Sequence, residues 1–447
     1  MIRFNPKFST TLAMSLVVLA ATSGRAEVFD PVYDNAVPIL IESPDTNAYW
    51  SRTVRGVITD LQGVGLHEAS LVINGKEYLT NEAGEFNFDI EGERTSSILI
   101  KKPGFRKMIL KPRAGDLNIM LEPQAINGVY VQTGVFKNKN SATLQNIMSL
   151  MKNTELNAMV VDVKDDDGRV SVGLKPYVDE MHAKGLYMIA RIVTFKDNIA
   201  PRKYPELAIT DKNTGKPWQD HKNITYLDPF NEKAHQYVLN IAKQAVEYGF
   251  DEVEFDYVRF PTDGNRNNAK WPTEFTPDTR TKAISGFLKE ARKTLGAMGA
   301  FVAADVFGDT AYVKTDSGIG QRIEDITPYL DYVCPMVYPS GFGKGTAGVN
   351  IPVDHPKEII EDSVRRYRLR ADQDTVIRPW LQSFRDYAYN HREYGAAEIR
   401  AQIDGSDNKG GVGYLLWNAA NRYSDAGLKK KSQRNQSRRT GSKVVVR

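Results

Sequence analysis

The sequence predicts an α/β chain, a (β/α)8 TIM barrel preceded by a small all-β sandwich. Three observations predict it. Eight apolar runs alternate with helix-patterned segments between residues 127 and 419, short alternating segments broken by Gly and Asn-Gly turns come before them, and several runs end in a single charge. Parallel strands need a crossover between each pair, and eight of them close a barrel of about 300 residues.

The runs fall at residues 127–136, 158–165, 187–195, 250–264, 301–308, 331–339, 375–384 and 411–419. Before the fourth, NEKAHQYVLNIAKQAVEYG sets Ala234, Tyr237, Val238, Ile241, Ala242, Ala245 and Val246 at offsets of three and four. That is an amphipathic helix stopped by Gly249. The same helix-then-strand order places residues 141–152 before the second run and 175–184 before the third.

The fourth run, FDEVEFDYVRFPTDG, carries most information. Strand alternation puts Val253, Phe255 and Tyr257 on one face and Glu252, Glu254 and Asp256 on the other. An antiparallel strand with one wet face would show the same pattern. The barrel decides between them. Asp162, Arg191, Asp256 and Asp305 each stand near the C-terminal end of a run, and those ends converge on the mouth where barrel active sites lie. Glu254, one pleat deeper, reads as an interior acid paired with Arg191 or Arg259, because a lone buried carboxylate is costly. Arg259 reads as the partner that keeps an acid ionised, or as a substrate contact.

With these residues in place, a resemblance emerges. GFDEVEFDYVRFPTDG, with VVDVKDDDGRV upstream and ADVFGD and PMVYPS downstream, resembles the glycosyl hydrolase domain family of secreted bacterial proteins over residues 125–425. The resemblance implies a glycosidase without naming its substrate. Glycosidic cleavage needs one protonated carboxyl for the leaving oxygen and one ionised carboxylate as nucleophile or as base for water. Asp256 resembles the position that barrel glycosidases of related layout use for the nucleophile, and Asp305 is its natural acid/base neighbour. Asp162 competes with Asp305 as second carboxyl, or holds charge or a sugar hydroxyl.

Aromatic faces suit the C–H faces of sugars, and Tyr257, Trp218, Tyr338, Trp380 and Trp417 lie at predicted strand ends or loops. Trp218, in the polar loop GKPWQDHKN, is the preferred platform; Trp380 and Trp417 read equally as core. The run Asp165, Asp166, Asp167, Gly168 reads as a solvated turn, since Val170, Val172 and Leu174 interrupt any calcium-loop spacing. No metal or cofactor is implied: the six histidines include no ligand-spaced pair, and His182 and His235 fall inside helices. Cys334, the single cysteine, reads as a small buried hydrophobe and excludes an intrachain disulfide.

Residues 1–26 read as an export signal, with Arg3 and Lys7 ahead of an apolar core and Gly24 and Ala26 at the cleavage site. Residues 27–52 follow as a linker, and the barrel occupies 124–427. In residues 53–123, G-x-I-x-D-x-x-G, A-x-L-V-x-I-N-G and T-N-x-x-G-x-F resemble the carboxypeptidase regulatory-like domain, implying a sandwich without catalysis, read as a rigid spacer. Residues 428–447 hold eight basic residues and no acid, a disordered tail. Signal removal takes the formal charge from +4 to +1, and the tail then leaves the body near −7. The arm could touch anionic envelope surfaces or simply be solvated, and nucleic acid is excluded for an exported chain. The expectation is an exported, periplasmic or extracellular glycoside hydrolase acting on a polysaccharide; the alternative is a non-catalytic carbohydrate-binding or envelope scaffold.

Overall fold

The computed structural model of the protein describes residues 50–92, 97–111 and 116–431. All eight barrel strands form. They are β1 (Asn127–Val131), β2 (Ala158–Lys164), β3 (Tyr187–Val193), β4 (Glu252–Asp256), β5 (Phe301–Phe307), β6 (Tyr332–Met336), β7 in two pieces (Val376–Ile377 and Trp380–Gln382) and β8 (Tyr414–Trp417). Neighbours pair in parallel in chain order, and β8 pairs back onto β1 to close the barrel. The break in β7 falls at Pro379, which has no N–H for the ladder.

Each strand divides its side chains between two cores. Val253 and Phe255 of β4 face outward and join Val161, Ala190, Ile192, Val302 and Ala304 under the helices. The helix Glu232–Glu247 is one of these; Asn231 caps its start, and it buries Ala234, Val238, Ile241, Ala242 and Ala245. Inward-facing residues include Tyr130, Val160, Ile189, Ala303, Tyr332, Cys334, Trp380 and Leu415. Glu252, Glu254 and Asp256 are buried too, so the expected alternation holds while the wet-face reading fails. Parallel register sets Arg191 of β3 level with Asp162 on one side and Glu254 on the other.

Ahead of the barrel, Trp50–Thr59, Glu85–Gly92 and Leu117–Met120 form one sheet, and Ser70–Ile73, Lys76–Leu79, Ile98–Lys101 and Met108–Leu110 form a second. They enclose Val54, Ile58, Leu71, Ile73, Phe86, Ile100 and Leu117. The first strand begins inside the span expected as linker.

This unit packs against the N-terminal ends of the barrel strands, opposite the mouth. Lys107 Nζ donates to the carbonyls of Asp251 (2.8 Å) and Gly299 (3.1 Å), just before β4 and β5. Lys101 and Lys107 both lie over the Phe301 ring, and the Gly104 N–H donates to the Tyr332 hydroxyl. Lys102 and His67 share Asp374. Glu77 pairs with Arg292 (2.8 Å) of the barrel helix Pro277–Ala297 and with buried Lys101 (3.1 Å).

The start of the expected basic tail is docked. Lys430 bridges to Thr154, and Lys431 Nζ donates to the Met151 and Leu156 carbonyls. Residues 432–447, like the expected export signal, lie outside the described residues. Among the described residues no helix is long and apolar enough to cross a membrane.

Burial pushes the Glu77 carboxyl up, but Lys101 and Arg292 outweigh it and hold it at about 2. Its folded pKa lies below the unfolded one, so the contribution is complete above about pH 4.5 and is lost as pH falls through about 2. Glu77→Gln should therefore lower the unfolding free energy by about 3 kcal/mol at pH 7. Urea titrations at stepped pH check this: the gap from wild type should narrow between pH 4.5 and 2.

Candidate active site

The barrel interior carries five acids on three strands: Asp162, Glu252, Glu254, Asp256 and Asp305. Two arginines answer them. Arg378, between the halves of β7, is fully buried and reaches across the barrel floor to both oxygens of Glu252 and to Glu254 Oε2 at 3.0 Å. Tyr187 donates its hydroxyl to Glu252 at 2.9 Å. Glu254 is thus paired, but with Arg378 and with neither of the arginines expected from sequence.

Arg191 governs the level above. Its Nη1 donates to Asp162 Oδ1 (2.6 Å), and its Nε and Nη2 donate to Asp256 Oδ2 (3.0 and 2.5 Å). Asp166 Oδ2 completes the set at 3.2–3.3 Å and also receives Lys196 through its other oxygen. The Tyr130 and Trp417 rings, stacked on each other at 4.3 Å, both lie over the guanidinium. Tyr130 donates to Asp162 Oδ2 at 2.5 Å, so that carboxylate is held from two sides. Burial pushes Asp162 up, and Arg191 and Tyr130 only partly offset it.

Asp305 ends the apolar part of β5 and is only 2 % exposed. It has no arginine or lysine within ion-pair distance among the described residues; Oδ1 accepts the Trp380 indole N–H at 2.7 Å. Its carboxyl is pushed well above the ordinary range, first by burial and then by the charges of Glu254 and Asp256. Burial raises Glu254 as well, against the pull of Arg378. The two carboxyls repel each other in a dry interior, and of the pair Asp305 is the one with no cation beside it among the described residues.

Those two acids and Cys334 place ligand-type atoms within 4.8 Å of one another. A cation is already there: Arg378 Nη2 lies 3.0 Å from Glu254 and 3.4 Å from Cys334 Sγ, and the thiol donates to Glu254 at 3.3 Å. Cys334 is buried as expected, and it takes part in the polar floor.

The chain leaves β4 through Tyr257, whose φ of +48° is unusual for an aromatic residue. Lys196 lies over the Tyr257 ring at 4.5 Å and Arg259 at 4.8 Å. Among the described residues Arg259 pairs with no acid, so its reading as an acid's partner fails; its Nη1 donates to the Phe260 carbonyl. Tyr338, from the loop after β6, packs edge-on to Phe384, which stacks on exposed Tyr387. Trp417 is half-buried in the mouth, and buried Trp380 meets it edge-on. Trp218 is not a platform: it is 2 % exposed, packed with Ile209, Tyr226 and Ala269, and donates to the Asn265 carbonyl.

Asp165 and Asp167 make the expected turn, with Asp165 Oδ1 accepting two backbone N–H groups and Asp167 pairing Arg169. Asp166 turns inward instead. Gly168, at φ +93°, lies so near Asp197 that a Cβ would meet the carboxylate at 2.3 Å. Sequence reading also passed over Tyr130, Lys196 and Arg378. Arg378 carried a visible signal, a charge inside the apolar run TVIRPWL.

A parallel barrel with carboxyls gathered at the C-terminal ends of its strands is an architecture of glycoside-cleaving enzymes. Residues 128–423 match the family described as "Putative glycosyl hydrolase domain", and the chain belongs to it. A hypothetical protein of Ruminiclostridium thermocellum is 34% identical, covering 40% of this chain and 97% of that one, with a TM-score of 0.35. The glycoside hydrolase domain of PgaB (BpsB) from Bordetella bronchiseptica is 15% identical over 69% of this chain and all of that one, TM-score 0.51, a likeness of fold. The spore cortex-lytic enzyme SleL of Bacillus megaterium is 16% identical over 72% of this chain and 74% of that one, TM-score 0.40. No curated protein matches. A cavity of about 1150 Å³ on the barrel flank, lined by Tyr204, Phe230, His235 and Tyr237, includes none of the mouth acids.

Arg378→Met should destabilise the protein by roughly 3–5 kcal/mol, because Glu252 and Glu254 would lose their counter-charge inside the barrel. Chemical unfolding checks this, and adding Glu252→Gln and Glu254→Gln should recover most of the loss.

Proposed function

We propose that the protein is a glycoside hydrolase in which Asp305 supplies the proton and Asp256 the negative charge. The observation that carries the reading is the contrast between them: Asp305 holds its carboxyl well above the ordinary range, while Asp256 is paired with Arg191. The family and the barrel support it. Asp305 would protonate the departing glycosidic oxygen while Asp256 attacks the anomeric carbon or takes a proton from the attacking water. Asp162, fixed by Arg191 and Tyr130, would hold a sugar hydroxyl and keep the guanidinium aimed at Asp256. The Trp417, Tyr338 and Tyr257 rings would receive sugar faces, with Tyr387 extending the row outward.

The substrate class follows from the sequence-level expectation of export: an envelope or extracellular polysaccharide. The sandwich on the far end of the barrel leaves the mouth clear, in keeping with its reading as a carboxypeptidase regulatory-like spacer. The basic arm beyond residue 431 is proposed to contact anionic envelope surfaces.

Reducing-end release from a panel of envelope and extracellular polysaccharides tests the reaction. Asp256→Asn and Asp305→Asn should each lower kcat by at least about 10²-fold in protein that still unfolds in a single cooperative melting transition. Asp305 works protonated, so the wild-type rate should fall as pH rises through its elevated pKa, and that limb should vanish in Asp305→Asn. Saccharide binding without cleavage, unchanged by either substitution, would replace this reading with a non-catalytic binding barrel.

A further inference from the structure

Four arginines among the described residues are more than nine-tenths buried: Arg191, Arg259, Arg280 and Arg378. Three have carboxylate partners, Arg280 through Asp316. Arg259 has none among the described residues. It is 7 % exposed, with its guanidinium between two rings, 4.8 Å from the Tyr257 centroid and 4.6 Å from that of Phe307. Its one hydrogen bond is to the Phe260 carbonyl at 3.0 Å, leaving donors of a five-donor group unspent. A guanidinium withdrawn from water without a counter-charge is costly, and burial accordingly lowers its pKa.

Its position gives that cost a use. Arg259 follows Asp256 by three residues, and Phe307 follows Asp305 by two, so the cation stands where the loops after β4 and β5 leave the two proposed catalytic acids. It lies within electrostatic reach of Asp256. Lys196 also lies over the Tyr257 ring, but its ammonium is engaged by Asp166. Arg259 is the buried cation at this mouth without a carboxylate of its own. Contact with both rings holds the guanidinium, and its unspent donors can form a two-pronged contact with an anion.

We propose that Arg259 reads an anionic substituent on the glycan, so that the substrate carries a carboxylate, as in a uronic acid, or a phosphate ester, beside the bond that is cut. This rests on the glycosidase reading for its placement and is tested apart from it by binding. Calorimetric titration would compare oligomers of β-1,4-glucuronate, of α-1,4-galacturonate and of alternating glucuronate and N-acetylglucosamine. Each is paired with its carboxyl-reduced neutral counterpart, and a 6-phosphorylated β-1,4-glucan is run beside the unmodified glucan.

At least one acidic probe should bind about tenfold or more tightly than its neutral match. That advantage should shrink to about twofold in Arg259→Gln, be partly kept in Arg259→Lys, and fall with added salt in the unsubstituted protein. A phosphate preference that depends on Arg259, without a uronate preference, would keep the anion reading and assign its source to the ester. No acidic advantage in any pair, or one that persists undiminished in a folded Arg259→Gln, would overturn the proposal. If Arg259→Gln does not fold, Arg259→Lys and the salt dependence of the wild-type ratio decide. Hydrolysis is not read: acid-selective, Arg259-dependent binding by a protein that cuts nothing would defeat the glycosidase reading and leave this one standing.

Discussion

The structure depends on balancing charge inside a closed barrel. Strand β4 points three acids inward, β2 and β5 add one each, and the interior excludes the water that would solvate them. Arg378 neutralises the floor and Arg191 the level above. Two cations cannot answer five carboxylates, and burial with like charge pushes Asp305, the acid without an ion-pair partner among the described residues, well above the ordinary range. The arrangement that lets the barrel fold is also the one that divides its carboxyls into charged and neutral kinds. General acid catalysis at a glycosidic oxygen needs that division.

Support for this interior comes from outside it. The helices press on the outward faces of the strands, and parallel register brings Arg191 level with Asp162 and Glu254. The β-sandwich closes the other end. Its Lys107 donates to carbonyls at the starts of β4 and β5, and Lys101 and Lys107 both lie over the Phe301 ring, covering backbone that would otherwise face water under the charged floor. The mouth remains the open end of the barrel.

Much of this was legible in the sequence. Eight runs with crossover helices specified the barrel, and the charges at their C-terminal ends named Asp162, Arg191, Asp256 and Asp305, which the structure brings together. Side-chain pairing was less legible, because alternation gives the face of a residue and not the reach of its side chain. Arg191 is level with Glu254 yet extends upward to Asp256, leaving Glu254 to an arginine from the opposite wall. Trp218 misled through its polar neighbours; the loop folds back so that Ile209 and Tyr226 cover the indole. Asp166 was hidden in an acidic turn whose other two members do behave as turn residues.

The central claim is that Asp305 holds a proton at neutral pH, and infrared difference spectroscopy of the carboxyl stretch tests it most directly. At pH 7 the wild type should show a protonated-carboxyl band that loses intensity in Asp305→Asn, persists in Asp256→Asn and shifts in deuterium oxide. A spectrum with no protonated carboxyl at pH 7, or one whose band survives Asp305→Asn and vanishes in Asp256→Asn, would contradict the account.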